Sequence, residues 1–223
     1  MRRIIASAFV SLDGVIQGPG GPTEDITGGF GEGGWVFKVW DEGVDEVIGG
    51  LFSQPYDLLL GRRTYDIFAA YWPYVDGEAA AMGDAFAAAN KYVLTRGDAP
   101  LDRANSHRMT CVEDVAAIKS GDGPDLIIQG SSEIYPGLLA AGLIDRLTLM
   151  IYPVTLGRGK RLFGENTPVG LLEMVDHKVT AKGTVVATYA PGRDLPPYPP
   201  YGPAPSTSAR EAERQQRMRE GNW

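Results

Sequence analysis

Cysteine and histidine are scarce in this sequence, which has one cysteine and two histidines among 223 residues. The lone cysteine, Cys111, excludes an internal disulfide framework and any zinc site built from several cysteines, and it fits a reducing compartment. His107 and His177 have no partner at the spacing of a metal site or a catalytic triad, so we interpret them as surface or strand residues. The sequence therefore predicts no metal site.

An excess of positive charge and long apolar runs are also lacking. The formal net charge is −7, and no run of lysine or arginine exceeds two residues, so there is no electrostatic footprint for the phosphates of a nucleic acid. No apolar run approaches the roughly 18 residues that indicate a membrane span. Residues 1–3 lead into a strand-like segment and not into a signal peptide. We therefore expect a cytoplasmic protein with a small-molecule partner and with neither a nucleic-acid nor a membrane partner.

The composition is that of a globular protein with an appendage. Apolar residues make up 43% of a chain that is long enough for one well-buried core and short for two. Between residues 191 and 205, seven of fifteen residues are proline, which disfavours sheet and helix and favours an extended arm. We expect one domain over residues 1–190, followed over residues 191–223 by a proline-rich arm and a charged tail with some helical character.

Short aliphatic runs alternate with segments of helical pattern, which is typical of a layered α/β domain. The predicted strands cover residues 3–10, 57–60, 91–95, 125–129 and 144–152, and a hairpin is predicted over 172–180 and 184–189. The predicted helices cover residues 39–52, 63–71, 78–90, 112–120 and 132–141.

One long segment has no hydrophobic period. Residues 17–35 contain eight glycines and two prolines, and we predict a loop, because structureless stretches of this length in compact domains are usually lids, binding loops or inserts. Trp35, Phe37 and Trp40 at its exit could anchor a lid. The pattern G-x-G-x-x-G over 29–34 lacks the preceding strand and the following helix of a dinucleotide-binding loop, so we interpret it as a chance match.

Three turns combine a strand end with groups that suit an anion. The turn 61–64 has a glycine, two arginines and a threonine at a helix start, and the turn 130–132 has a glycine and two serines. Helix N-termini present unsatisfied amides, and arginine adds charged donors for phosphate oxygens. Thr95 and Arg96 follow a third strand and could bind the 2′-phosphate that distinguishes NADPH from NADH. The alternative is a set of plain strand ends with solvated arginines.

These turns occur in the order seen in dihydrofolate reductases. The segments are SLDGVI at 11–16, LGRRTY at 60–65, LTR at 94–96, and QGSS at 129–132 with Tyr135. The later segment YPVTLGRGKRLF at 152–163 is similar to the reductase domain of bifunctional riboflavin-biosynthesis deaminase-reductases. Over about residues 1–190 the sequence therefore resembles the dihydrofolate reductase-like family, close to that reductase domain. We expect no deaminase half in this sequence, because one cysteine cannot form its zinc site.

The resemblance implies a fold and a set of binding residues. The fold is a three-layer αβα sandwich with a central mixed, mostly parallel sheet, across whose strand ends NADPH lies. The segment 13–16 would border the nicotinamide, and Asp13, Ile16 and Trp35 would bind the substrate. The residues assigned to NADPH are Gly61, Arg62, Arg63, Thr64, Leu94, Thr95, Arg96, Gly130, Ser131, Ser132 and Tyr135.

A catalytic carboxylate is implied at Asp45, which is found by counting back from Gly61. A buried acid there would bond the pyrimidine edge of a pterin and raise the proton affinity of the reacting ring nitrogen. Asp41, Glu42 and Glu46 lie in the same stretch. The alternative for Asp45 is a solvated helix acid.

Together the patterns and the resemblance imply an NADPH-dependent reductase that acts on a pterin-like or ribosylaminopyrimidine molecule. Arg158, Lys160 and Arg161 could meet a substrate phosphate or form a solvated turn. A non-catalytic protein that binds a pterin or a nucleotide is the alternative function. The proline-rich arm could hold a homodimer or dock on another partner, since extended proline segments bind with little ordering cost.

Overall fold

An eight-stranded sheet forms the centre of the protein, whose computed structural model describes residues 1–202 and 208–222. The strands are β1 (Ile4–Ser11), β2 (Tyr56–Gly61), β3 (Lys91–Leu94), β4 (Ser106–Met109), β5 (Asp125–Gln129), β6 (Arg146–Tyr152), β7 (Leu172–Val179) and β8 (Val185–Pro191). Their order across the sheet is β4-β3-β2-β5-β1-β6-β8-β7. β1 to β6 pair in parallel, whereas β8 is antiparallel to both β6 and β7. The predicted mixed, mostly parallel sheet is therefore confirmed.

Helices cover both faces of this sheet. They are α1 (Trp35–Lys38), α2 (Asp45–Leu51), α3 (Arg62–Tyr71), α4 (Ala80–Ala88), α5 (Val112–Ser120) and α6 (Tyr135–Ala140). Val115 of α5 and Leu138 of α6 pack in the apolar cluster on one face. Side chains of α2, α3 and α4 pack in the two clusters on the other face. The fold is the predicted three-layer α/β sandwich.

Burial on both faces explains why the central strands read as continuous apolar runs. In β2, Leu58, Leu59 and Leu60 are all fully buried. Leu59 packs in the cluster under α5 and α6, while Leu58 and Leu60 pack in the cluster under α3 and α4. A strand in the middle of the sheet has no solvent face, so its sequence does not alternate.

β4 is absent from the sequence prediction. Its four residues, Ser-His-Arg-Met, contain no aliphatic alternation and are at most partly buried. The strand forms at the edge of the sheet by parallel pairing with β3. Its existence depends on that partner and not on a local pattern.

The predicted helix over residues 39–52 is wrong in its first half. α1 lies earlier, a 3-10 turn covers Glu42–Val44, and α2 begins only at Asp45. Asp41 interrupts the helix because its backbone is extended and its carboxylate accepts a hydrogen bond from Gly43 N at 3.0 Å. Local bonds of this kind from aspartate compete with the helix.

The chain separates into two units, residues 1–193 and residues 194–223. β8 ends at Pro191, and backbone hydrogen bonds of Gly192 and Arg193 with Leu171 carry the first unit as far as Arg193. The sequence predicts that residues 1–190 form one domain, and that boundary stays a prediction.

Among the described residues of the second unit there is one helix, α7 (Ala209–Arg219), with no buried residue. The Ser208 side chain caps it by accepting a hydrogen bond from Glu211 N at 3.1 Å. Residues 203–207 of the predicted arm and residue 223 lie outside the described residues. Across the described parts of both units, no helix has the length and apolar character needed to cross a bilayer.

Candidate functional site

The carboxyl ends of β1 to β6 meet at one edge of the sheet, because these strands are all parallel. Gly61 at the end of β2 pairs with Leu94 at the end of β3, and β5 lies on the other side of β2. Ligands of open α/β sheets bind outside this edge. The turns 61–64, 95–96 and 130–132 are therefore neighbours.

Direct hydrogen bonds join two of these turns. Ser131 Oγ accepts from Gly61 N at 2.9 Å and donates to Thr64 Oγ1 at 2.6 Å. A Cβ on Gly61 would lie 3.2 Å from Ser131 Oγ, so the contact favours glycine. Gly130 and Ser131 both have left-handed backbone, with φ of +83° and +71°. Serine is strained in this conformation, and such strain is concentrated at binding sites.

The two arginines at the start of α3 have different surroundings. Arg62 Nη1 donates to Ala99 O at 2.8 Å and to Pro100 O at 3.0 Å. The Arg63 side chain is 61% exposed and lies 3.8 Å from Glu133. In the described part of the chain, no side chain caps the α3 N-terminus, so its first amides are free to meet an anion. Arg62 therefore braces the loop after β3, whereas Arg63 is accessible to a ligand.

The loop that carries the third turn is held by two strands. Thr95 N donates to Met109 O at 2.9 Å, and Arg108 Nη2 donates to Ala99 O at 2.6 Å. Arg96 is exposed. Arg108 is not among the sequence-predicted site residues, because β4, on which it lies, has no local sequence signal.

The glycine-rich residues 17–34, here called the lid, form an ordered loop. Trp35 is 1% exposed and donates from Nε1 to Gln17 O at 3.0 Å, so it anchors the lid as predicted and packs in the core. Gln17 Oε1 accepts from Lys160 N at 2.9 Å and ties the lid to the loop after β6. The G-x-G-x-x-G residues 29–34 follow a 3-10 turn and precede the four-residue α1. The pattern thus lacks the preceding strand of a dinucleotide-binding loop, and its interpretation as a chance match stays a prediction.

Two residues predicted to bind substrate, Asp13 and Ile16, make contacts with other residues of the protein. Asp13 accepts hydrogen bonds from Ser11 Oγ at 2.6 Å and from Gly157 N at 2.8 Å. The bond from Ser11, followed by bonds from backbone amides, lowers the pKa of Asp13 to about 2. Ile16 is 9% exposed and packs in the main apolar cluster. Both residues shape the loops beside the sheet edge.

Tyr135, predicted to bind the cofactor, is fully buried in the core. Its hydroxyl donates to Ser7 O at 3.3 Å, and burial raises the pKa of the phenol. Tyr135 therefore supports the strand that runs beneath the site.

The expectation of a buried carboxylate at Asp45 is wrong, because Asp45 is exposed at the start of α2. The buried acid of this stretch is Asp41, which is 2% exposed. Its carboxylate accepts hydrogen bonds from Gly43 N and Thr180 Oγ1, which ties the start of α2 to the β7–β8 hairpin. The structure supports the alternative interpretation of Asp45 as a solvated acid on a helix.

A cavity of about 260 Å³ lies between α2 and the sheet, and the sequence prediction contains no counterpart to it. Its apolar lining includes Ile5, Val47, Ile48, Leu51, Ile127 and Met150, and its polar lining includes Arg3, Ser7, Gln54, Tyr56, Asp125 and Thr148.

Ser7 connects this cavity to the sheet edge. Its carbonyl oxygen accepts from Gly130 N at 3.3 Å, and its hydroxyl donates to the Gln129 side chain. The cavity wall is thus bonded directly to the turn 130–132. A serine in the middle of the apolar run from Ile4 to Val10 is the sequence signal that could have indicated this position.

Comparison with known proteins identifies the family of this chain. The sequence model of the RibD C-terminal domain matches residues 2–187. The chain belongs to the RibD C-terminal domain family. It is 27% identical over 191 residues to the uncharacterized protein YyaP of Bacillus subtilis (strain 168). The aligned region covers 84% of this chain and 94% of YyaP.

Solved structures share the fold of this RibD C-terminal domain protein. One is a protein from Shewanella sp. PV-4 provisionally assigned to riboflavin biosynthesis, with a TM-score of 0.63 and 22% identity over 86% of this chain and 99% of that one. Dihydrofolate reductase from Enterococcus faecalis, complexed with NADP(H), has a TM-score of 0.52 and 18% identity, and the match covers 85% of this chain and 96% of that one. A pyrimidine reductase-like protein from Corynebacterium diphtheriae has a TM-score of 0.55 and 14% identity, and the match covers 86% of this chain and 93% of that one. The fold is dihydrofolate reductase-like, and family membership supports a reductase-type role.

Proposed function

We propose that this protein is an NADPH-dependent reductase that delivers hydride to a heteroaromatic small molecule. The observation that carries the proposal is the convergence of the turns 61–64, 95–96 and 130–132 at one sheet edge. A dinucleotide with several phosphates needs donors from more than one chain segment, and these turns supply amides, hydroxyls and guanidinium groups together.

The residues at this edge fit the diphosphate of a dinucleotide. The uncapped start of α3 offers backbone amides, and the left-handed pair at Gly130 and Ser131 lets the backbone approach a ligand closely. The mutual hydrogen bonds of Gly61, Ser131 and Thr64 hold the two turns at a constant separation. NADPH bound here would supply the hydride, while the protein orients it and excludes water.

Selectivity for NADPH over NADH would come from the 2′-phosphate. Arg96 and Arg63 are exposed arginines on adjoining turns. The Thr95 hydroxyl accepts a hydrogen bond from Gly97 N at 3.2 Å. Arg62 and Arg108 hold the loop 97–100 in place through its carbonyl oxygens. NADH has no 2′-phosphate, so Thr95 and Arg96 would contribute only to NADPH binding.

The substrate would enter the cavity between α2 and the sheet. The cavity joins the dinucleotide edge through Ser7, so a ring in the cavity and a nicotinamide at the edge would be close neighbours. A pterin-like ring and a ribosylaminopyrimidine are the two substrate classes. Turnover with dihydropterin and with ribosylaminopyrimidine phosphate, measured side by side, distinguishes them.

A titration with NADPH and NADH tests the proposal. We expect micromolar affinity for NADPH, weaker binding of NADH, and a loss of about tenfold in NADPH affinity in Arg96→Ala, because one charge-assisted phosphate contact is removed. NADH affinity should not change. The control is Arg146→Ala, which removes an exposed arginine at the amino end of β6, on the opposite sheet edge.

Equal affinity for the two cofactors would remove the assigned role of Thr95 and Arg96, and absence of NADPH binding would overturn the reductase proposal. Binding of a pterin or nucleotide without NADPH oxidation by any candidate substrate would favour the non-catalytic alternative.

A further inference from the structure

The β7–β8 hairpin extends the sheet beyond β6, and its two faces differ in chemistry. β7 has a bulge between Met174 and Asp176, so its faces follow from its pairing with β8. Glu173, Asp176 and Lys178 pair with alternate residues of β8 and therefore share one face. Lys178 Nζ donates to Glu46 of α2 at 3.0 Å. This face is charged, and α2 lies beside it.

The opposite face of the hairpin is apolar. We call it the hairpin face, and it contains no acid, lysine or arginine. Its members are Leu172, Met174, His177 and Val179 of β7 and Val185, Ala187, Tyr189 and Pro191 of β8. Leu147 and Leu149 of β6 pair with Tyr189 and Ala187 and belong to the main apolar cluster, so the hairpin face continues the core outward.

Four residues of the hairpin face are open to solvent. Leu172, Met174, Val179 and Val185 are between 38% and 65% exposed, and β7 is the last strand of the sheet. Contiguous exposed apolar patches mark interaction sites, and edge strands of native proteins are normally protected by charge or by a covering element. The exposure shows that no described element covers this face fully. We therefore expect a partner there.

The proline-rich arm has an apolar or aromatic residue at every third position. Leu195, Tyr198 and Tyr201 are separated by pairs of prolines. A polyproline II helix has three residues per turn, so this spacing predicts that the three side chains lie along one edge of the arm. They are between 58% and 90% exposed, and residues 195–202 contain no charged residue.

Length and chemistry match the arm to the hairpin face. The six steps from Leu195 to Tyr201 span about 19 Å in a polyproline II helix, and β7, a strand of eight residues, is about 24 Å long. Extended proline segments dock on apolar surfaces that contain aromatic rings, because they lose little conformational freedom on binding. Tyr189 supplies such a ring on the hairpin face.

A second copy of the chain would satisfy both surfaces at once. β8 ends at Pro191, and Leu171 N donates to Arg193 O at 3.1 Å, so the arm begins beside the edge strand. Each residue before a proline is restricted to extended backbone, which favours an arm that reaches a neighbouring molecule. Every contact of a two-fold dimer occurs twice, and exchange of an identical segment is a low-cost route to such a dimer.

We propose that the arm of one copy docks on the hairpin face of a second copy, and reciprocally, so that two exchanged arms hold a two-fold dimer. Leu195, Tyr198 and Tyr201 are the side chains that pack on the hairpin face. The match to the RibD C-terminal domain model ends at residue 187, so the arm lies outside the family region. This assembly does not depend on the proposed reductase activity.

Variants of the face and of the arm test the proposal in the full chain. Met174→Glu places a charge on the hairpin face, and the double variant Tyr198→Ser/Tyr201→Ser removes the aromatic edge of the arm. By sedimentation equilibrium across the micromolar range, we expect a wild-type dimer and a rise of about tenfold or more in its dissociation constant in each variant. Val179→Glu is a second face variant and should act like Met174→Glu.

Matched controls change the same chemistry elsewhere. Glu173→Lys alters the charge of β7 on the opposite face of the hairpin. Tyr74→Ser removes a tyrosine that is 75% exposed and follows α3. Both controls should dimerise as the wild type does.

Mixing the variants distinguishes exchange between copies from docking within one chain. The Met174→Glu chain keeps an intact arm, and the chain with Tyr198→Ser/Tyr201→Ser keeps an intact face. We expect each to be mostly monomeric alone and the mixture to form a mixed dimer, because one arm-to-face contact is restored. Native mass spectrometry resolves this dimer, since the two serine substitutions give the chains different masses.

Several results would overturn the inference: a monomeric wild type, wild-type dimerisation in the arm variant or in both face variants, or no mixed dimer. Loss of the dimer in the face variants alone would indicate two faces packed directly together and would remove the arm from the interface. Loss in the arm variant alone would place the arm on another surface. NADPH titration of the same variants tests the reductase proposal separately, because either proposal can fail while the other stands.

Discussion

Arg62 and Arg63 are neighbours in the chain, yet their contacts indicate different roles. The Arg62 guanidinium donates to two carbonyl oxygens of the loop after β3 and lies over the Tyr65 ring at 5.6 Å. Arg63 is largely exposed and has only a distant acidic neighbour, Glu133. At the residue scale, partners and not residue type decide which cation is free for a phosphate.

Single alanine replacements should separate these roles. We expect Arg62→Ala to cost about 1–2 kcal/mol of stability, to lower Tm by about 3–6 °C, and to weaken NADPH binding indirectly as the loop loosens. Arg63→Ala should weaken NADPH binding severalfold with Tm unchanged, since it loses only a phosphate contact. Thermal unfolding and cofactor titration on both variants make the comparison. Identical changes in both quantities would contradict it.

The lid is the element whose form depends most on glycine. A Cβ on Gly33 would lie 2.4 Å from Pro22 O and 2.8 Å from Gly21 O, which are backbone atoms that cannot move aside cheaply. A Cβ on Gly31 would have no atom within 4 Å. Two glycines of one pattern, two residues apart, therefore differ in whether the lid requires them.

Gly33→Ala should open the lid, whereas Gly31→Ala should not. The expected results for Gly33→Ala are faster proteolytic cleavage between residues 18 and 34 and a marked loss of reductase turnover, because an open lid admits water. Gly31→Ala is the control and should behave as the wild type in both assays. Resistance of Gly33→Ala to protease would contradict the close packing of the lid.

Elements differ in how well the sequence predicts them. The aliphatic runs of β2 and β5 are predicted to within two residues, since continuous apolar segments between turn residues indicate buried strands. β4 has no such run and forms by pairing with β3. The helix predicted over 39–52 is split by the side chain of Asp41, a competition that helical periodicity does not reveal.

For the whole molecule, the first unit contains the sheet, its clusters and every residue of the proposed site. The second unit, within residues 194–223, contains α7, none of whose residues is buried. The role we propose for the arm is to hold a homodimer. It is a proposal about assembly and does not concern the chemistry of the site.

Two truncations test the boundary and the arm together. A chain ending at Arg193 should keep the wild-type Tm to within about 2 °C, whereas one ending at residue 190 should melt several degrees lower, because it loses the bonds of Gly192 and Arg193 with Leu171. By native mass spectrometry, the full chain should be a dimer and the Arg193 truncation a monomer. Equal oligomeric mass in both would contradict the role of the arm.

Periodicity and turn residues are local properties, so the sequence by itself determined the α/β class, the long glycine-rich loop and the turns that end the central strands. The mostly parallel sheet was implied by the resemblance to the dihydrofolate reductase-like family. Only the tertiary structure decided which polar groups are free and which are used. Ser131 meets Gly61 from 70 residues away, and Asp41 rather than Asp45 is buried. Such partnerships arise when distant segments pack, so no local pattern contains them.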